Sequence, residues 1–345
     1  MKIKVIVVTL ILILLSTTFT SVNLFAEERE ENRKKYCNNS LKNKDFIIPV
    51  EISSNYIKNN NLVNDDGKKT QYVYLPPSYY KSKKSYPIVY YFHGFSGTTP
   101  NNINNAFEEI SSLMKDGLLE EMIIVEVNSD GPISGTFMQN SPVTGLWEKY
   151  FFKEVVKIIE KDFRVIKKPE FRGISGMSMG GYIAVNLAFK YPNFFSSVYS
   201  VSPGLLIDDE LNIAFKSWDD TFKKAYGCAF APRVNSEELY VEPKFDGSKE
   251  DEIVINEWLS GFGNINERIS DYISNKNKLS HIALEVGEND YFTWILSGTK
   301  RFSEKLFEKN IDHKINITDN GHEINNEIIT DNVLNFFSNN LKQRK

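Results

Sequence analysis

Residues 171–191, FRGISGMSMGGYIAVNLAFKY, constrain this chain more than any other stretch. They read as a short strand, a very tight turn and a helix. Ser178 stands at the centre of the turn, in Gly176-Met177-Ser178-Met179-Gly180. The pattern G-x-S-x-G is that of a strained elbow that lifts a serine hydroxyl above the edge of a sheet. So sharp a turn presses backbone against backbone, and a Cβ at either flanking position would clash. Gly181 leaves room for the helix to pack on its own strand. The bare pattern occurs by accident and is weak alone. Its context gives it weight, because Ile183, Leu187 and Ala188 follow at helical spacing.

An elbow needs a sheet, and the flanking chain provides one. Residues 86–92, YPIVYYF, form a continuous apolar and aromatic run, as in a strand buried on both faces of a parallel sheet. Further strands are expected at 71–75, 122–127, 194–201, 282–286 and 313–317. Helices are expected at 102–114, 146–162, 292–309 and 325–341. Phe152, Val155, Val156 and Ile159 share one face of the second. Strands alternating with helices imply an α/β fold, a mainly parallel sheet with helices on both faces. The rhythm breaks at about 205–278, which is too long for an ordinary connection and reads as an insertion or lid. Residues 71–345 are therefore expected to form a single domain, without repeats or linkers.

The start of the chain is a different material. Lys2 and Lys4 precede the apolar run 5–15, which is too short to favour a membrane span, and Leu24-Phe25-Ala26 ends on a small residue. This pattern is that of a secretory signal over residues 1–26, with an uncleaved anchor as the alternative. Residues 27–70 read as a polar leader. The expectation is a secreted protein with no stable membrane association once the signal is removed. The formal net charge is −4 and no long basic run exists, which argues against a nucleic-acid partner. Cys37 and Cys228 are the two cysteines. They allow one disulfide or two free thiols, and they lack metal-site spacing.

A serine hydroxyl needs a base to take its proton. In a sheet of this kind the partners follow in the order serine, acid, histidine. Of His93, His281, His313 and His322, the first precedes Ser178 and the second leaves too little chain for an acid-bearing strand end. His313 begins a strand, away from the sheet's carboxyl edge. His322, in Asn320-Gly321-His322, follows a strand and can bend back over Ser178. The acid belongs after the preceding strand, where Gly287-Glu288-Asn289-Asp290 lies. Asp290 is the choice and Glu288 the reserve; an N-cap of the next helix is the other use for Asp290. Two backbone N–H groups should hold the oxyanion: Met179, after the nucleophile, and Phe95, in the loop His93-Gly94-Phe95. His93 is then structural.

With these pieces in place the chain resembles the esterase D-like branch of the α/β-hydrolases, which includes secreted feruloyl esterases, S-formylglutathione hydrolases, enterochelin-type esterases and mycolyltransferases. YFHGFSG, NSPVTGLWEKY, RGISGMSMGGY, VYSVSPG, VGENDYF and NGHE carry the resemblance, from about Val73 onward. It implies an eight-stranded sheet, no cofactor and no metal, a catalytic set of Ser178, Asp290 and His322, and an oxyanion hole at Phe95 and Met179. The activity it implies is a secreted serine esterase acting on a small-molecule or carbohydrate ester, of the feruloyl or acetyl kind. Acyl transfer to a sugar or lipid alcohol is the alternative chemistry. A non-catalytic surface carbohydrate-binding protein is the alternative outside catalysis. Trp147, Trp218, Trp258 and Tyr291 are candidate substrate contacts, and Phe95, Tyr291 and Trp294 are candidates to line an acyl pocket.

Overall fold

The structure, a computed structural model, describes residues 46–58 and 62–341. The expected signal at 1–26, residues 27–45 of the leader, and Cys37 lie outside the described residues.

Eight strands form one sheet: β1 (Ile47–Ser53), β2 (Lys68–Tyr74), β3 (Ile88–Phe92), β4 (Ile123–Val127), β7 (Arg172–Met177), β8 (Ser197–Val201), β9 (His281–Gly287) and β10 (Lys314–Thr318). Two-residue strands β5 (Asn140–Ser141) and β6 (Gly145–Leu146) make a separate hairpin. The spatial order is β1-β2-β4-β3-β7-β8-β9-β10. The β1–β2 and β2–β4 pairs are antiparallel and every other neighbour is parallel. β3, β4, β7 and β8 are buried along their whole length, and β3 accordingly reads as an unbroken apolar run. The α/β architecture expected from the alternation is present, with an eight-stranded, mainly parallel sheet.

One boundary needs correction. The sheet begins at Ile47, inside the segment read as leader, because β1 pairs with β2 over seven residues. Pro49 hides this strand from a sequence reading, since proline cannot donate to a ladder. It is tolerated because β1 is the outermost strand.

Helix α1 (Asn102–Lys115) and the C-terminal helix α9 cover one face. α9 is a π-helical segment, Ile328–Leu334, running into Asn335–Asn340. Ile103, Ile110, Met114, Val333 and Phe337 pack there on Val89, Tyr91 and Ile124. Helix α2 lies on the other face, where Phe151 meets the rings of Tyr90 and Phe92. α2 runs through Trp147–Tyr150, a π-helical turn at Phe151–Val155, and Val156–Asp162. On the same face α3 (Met179–Lys190) rests against β3, β7 and β8, and Phe189 meets Phe302 of α8 (Thr293–Glu308). A buried two-pronged ion pair, Glu160 with Arg172, anchors the foot of the elbow strand.

The insertion is helical rather than irregular. It contains α4 (Leu211–Ser217), α5 (Asp220–Phe230), α6 (Lys249–Leu259) and α7 (Ile265–Ser274). Asp219 and Ser248 cap α5 and α6 by accepting from Phe222 N and Asp251 N. No helix among the described residues is long and apolar enough to cross a membrane.

Candidate active site

At the carboxyl end of β7 the chain turns through Ser178, whose φ is +58° and ψ −115°. That conformation is costly for a residue with a side chain. It is held by Ser178 N donating to Val201 O, and by Ser178 O accepting from Tyr182 N and Gly204 N. The glycines are required by contact: a Cβ at Gly180 would stand 2.0 Å from Phe92 O, and one at Gly176 2.4 Å from the Gly180 carbonyl carbon. The strand, the loop after β3 and the first turn of α3 thus converge within backbone contact.

Two further loops converge on the same point. β9 and β10 run parallel, and the loops after them are joined by Glu288 N to Thr318 O at 2.7 Å, Asn289 N to Asn320 O at 3.0 Å and Asn289 Nδ2 to Asp319 O at 2.6 Å. A Cβ at Gly287 would lie 2.2 Å from Asn320 O, so only glycine admits this approach. The result is a continuous relay. Ser178 Oγ stands 2.9 Å from His322 Nε2, and His322 Nδ1 stands 2.7 Å from Asp290 Oδ2. A carboxylate only accepts, so Nδ1 carries the hydrogen and Nε2 is left with its lone pair toward the serine hydroxyl. The Asp290 side chain is fully buried and that of His322 is 8% exposed. Asp290 also does the local job considered for it: its Oδ1 accepts from Phe292 N at 2.9 Å and shapes the turn into α8. Glu288 is exposed and outside the relay. His313 is bonded elsewhere, to Ser303 Oγ and Ile311 O.

The loop after β3 lies beside the elbow, with a Cβ built on Gly94 only 3.7 Å from Ser178 Cβ. Met179 N opens α3 and Phe95 N lies in that loop; neither donates to another backbone carbonyl among the described residues. His93 holds the loop. A backbone N–H can only donate, so Ser129 N gives its hydrogen to His93 Nε2 at 3.1 Å, and Nδ1–H donates to Gly94 O at 2.8 Å. Burial pushes the His93 imidazole below its usual value, which keeps this neutral tautomer. Ser96 N donates to Ser134 O, tying the loop to the segment after β4. Ser175, three residues before the nucleophile position, is fully buried.

Comparison with known proteins points to the same fold. Residues 66–234 match the family model Esterase, described as "Putative esterase"; the match includes Phe95, Ser178 and Met179 and stops before Asp290 and His322. Esterase Rv1288 of Mycobacterium tuberculosis is 32% identical over 135 residues, which are 38% of this chain and 28% of that protein. The chain thus spans less than a third of that curated relative. A solved ferulic acid esterase superposes with a TM-score of 0.57 at 22% identity, over 85% of this chain and 98% of its own. The S-formylglutathione hydrolase of Staphylococcus aureus does so with a TM-score of 0.56 at 14% identity, over 86% and 98%. The chain has the α/β-hydrolase fold.

The tryptophans expected to touch substrate are elsewhere. Trp147 is fully buried and its indole N–H donates to Thr144 O at 2.8 Å. Trp258 is fully buried and donates to Val241 O at 2.7 Å, pinning α6 inside the insertion. Trp218 is buried among Trp258, Tyr226 and Trp294. Of the four candidates Tyr291 does meet the site, its ring 5.5 Å from that of His322, and two phenylalanines stand there with it. Phe222 of α5 packs 4.7 Å from the ring of Phe95, and Phe292 packs edge-on to His322 at 5.0 Å. Phe262 bridges them, touching Phe222 and stacking on Trp294, which in turn meets Phe292. An aromatic belt therefore runs from the oxyanion loop to the histidine. Phe222, Tyr226 and Phe230 recur every fourth residue, a stripe visible in the sequence that marks a buried helix face. Cys228, on the same helix, is buried, and burial raises its thiol to about 11.

Proposed function

We propose that this α/β-hydrolase is a secreted serine esterase that hydrolyses carboxylic esters through an acyl-enzyme, with acyl groups of the feruloyl or acetyl kind on carbohydrate as its substrates. The observation that carries the reading is the Asp290–His322–Ser178 relay at the elbow. In the first half-reaction His322 Nε2 takes the Ser178 proton as Oγ bonds to the ester carbonyl carbon. The negative oxygen that forms is met by Phe95 N–H and Met179 N–H. Collapse breaks the bond to the alcohol oxygen, which leaves with the proton from His322. Water then repeats the sequence on the acyl-enzyme and releases the acid. Asp290 keeps the Nδ1–H tautomer and favours the imidazolium without taking the proton. The carbohydrate side is supported by the export signal read in residues 1–26 and by fold likeness to proteins described as ferulic acid esterases. The test is one panel: p-nitrophenyl acetate and longer acyl esters, acetylated xylan, and methyl ferulate, with recovery of the protein from culture medium. Turnover of the small esters with a burst of p-nitrophenol is expected. Absence of turnover on every ester would reject the reading.

A further inference from the structure

Among the described residues only two aromatic rings are exposed: Phe307, and Tyr291 at 71%. Every ring of the belt is buried or half-buried, whereas Tyr291 faces solvent at the catalytic centre, its centroid 5.5 Å from the His322 ring at 77°. Its side chain does not contribute to the relay, which uses Asp290 on one side of it in sequence and packs Phe292 on the other. We propose that Tyr291 is the platform for the alcohol half of the substrate, and that the alcohol it takes is a sugar whose ring lies against the tyrosine face.

The proposal rests on the esterase reading, and the direction of proton transfer decides the side. The proton from Ser178 resides on His322 Nε2 and is given to the leaving oxygen, so the alcohol lies against His322. The carbonyl oxygen points the other way, toward Phe95 and Met179. A ring next to His322 and open to solvent therefore meets the alcohol, while Phe222, against Phe95, lies on the oxyanion side. Tyr291 is also held in place. The Asp290 Oδ1 bond to Phe292 N closes the turn around it, and its ring packs on that of Phe292 at 4.2 Å. A platform fixed before binding loses little freedom when it is covered. Its chemistry suits a sugar, which has an apolar C–H face and a rim of hydroxyls: tyrosine offers an apolar face and a polar tip. Burial and then the Asp290 carboxylate raise the phenol above its usual value, so the tip stays protonated and can donate. Its openness leaves room for the rest of a chain.

The experiment varies the alcohol at constant acyl group and the acyl group at constant alcohol. Wild type, Tyr291→Ala and Tyr291→Phe are compared on ethyl acetate, an acetylated xylo-oligosaccharide and ethyl ferulate. The kcat/KM ratio of the xylo-oligosaccharide ester to ethyl acetate should fall about tenfold in Tyr291→Ala and much less in Tyr291→Phe, which keeps the face. The ratio of ethyl ferulate to ethyl acetate should stay within about twofold of wild type. An unchanged first ratio, a change that follows the acyl group, or a wild type without preference for the sugar ester overturns the proposal. A second arm titrates the acetylated xylo-oligosaccharide into Ser178→Ala protein by NMR, with and without Tyr291→Ala. About tenfold weaker binding in the double variant supports the platform, and equal binding rejects it. If wild type cleaves no ester at all, the esterase reading falls, and this binding arm still judges Tyr291 by itself.

Discussion

Two regions meet over Ser178, and they are held by different forces. The strand-end framework, comprising the elbow and the loops after β3, β9 and β10, is fixed by backbone: hydrogen bonds between main-chain groups, and glycines at which a Cβ would strike a carbonyl. The helical insertion is fixed by side chains: Phe215, Trp218, Phe222, Tyr226, Trp258 and Phe262 pack ring on ring. Polar ties support that packing, among them Tyr226 Oη to Trp258 O, Arg268 to the Gly261 and Gly263 carbonyls, the Arg233–Glu257 ion pair and Leu206 N to Phe262 O. Backbone contacts tolerate little displacement, which suits atoms that must stay within a hydrogen bond of each other. Aromatic packing is less directional and admits exchange of one ring for another.

That contrast can be broken by mutation. The largest effect is expected at the hydroxyl itself. Ser178→Ala should fold normally and lose about a million-fold in kcat. A fluorophosphonate should label Ser178 and not the buried Ser175; labelling of Ser175 would place the nucleophile wrongly. Asp290→Asn comes next, with about four decades lost in kcat, because an amide can donate to Nδ1 and so stabilises the wrong tautomer. Glu288→Gln, at an exposed position, is the control, and a larger loss there would exchange the roles of the two acids.

The insertion should respond in stability instead. Trp258→Ala removes a fully buried indole and its bond to Val241 O, and should cost about 3–5 kcal/mol in chemical denaturation. Its effect on kcat/KM should be similar for small and bulky esters. A loss confined to bulky esters, with stability intact, would move Trp258 from packing to recognition.

The smallest effect concerns acid. His93 has its native value lowered by burial, so the unfolded chain binds a proton before the folded one does. Its contribution is fully present above the ordinary histidine value of about 6.5 and is lost as pH falls from there through the lowered native value. His93→Gln should therefore flatten the stability profile over that acid range, measured by denaturant titration at several pH values. An identical slope in the variant would show that another group governs the acid limb.

How much of this was legible in the chain follows from the range of the forces involved. The elbow needs only neighbours within about five residues: the glycines, the strained serine and the helical spacing after it state a local steric problem and its solution. Asp290 and His322 were legible at one remove, from chain order and from their places after successive strands. Their hydrogen bonds were not, because they depend on the β9–β10 pairing and on Gly287 admitting Asn320.

Long-range packing stayed hidden. Pro49 disguised an edge strand, since whether a proline is tolerated depends on which strand ends the sheet. Trp218 and Trp258 looked like recognition residues because a tryptophan in a polar stretch does not declare which partners bury it. The stripe Phe222, Tyr226, Phe230 announced a buried face without naming what it faced. Only the tertiary fold set Phe222 against Phe95 and left Tyr291 open beside His322. The sequence determined the elbow and its serine, because their geometry is made locally by backbone sterics. The surroundings that choose a substrate were decided by contacts between residues far apart in the chain, for which local sequence holds no record.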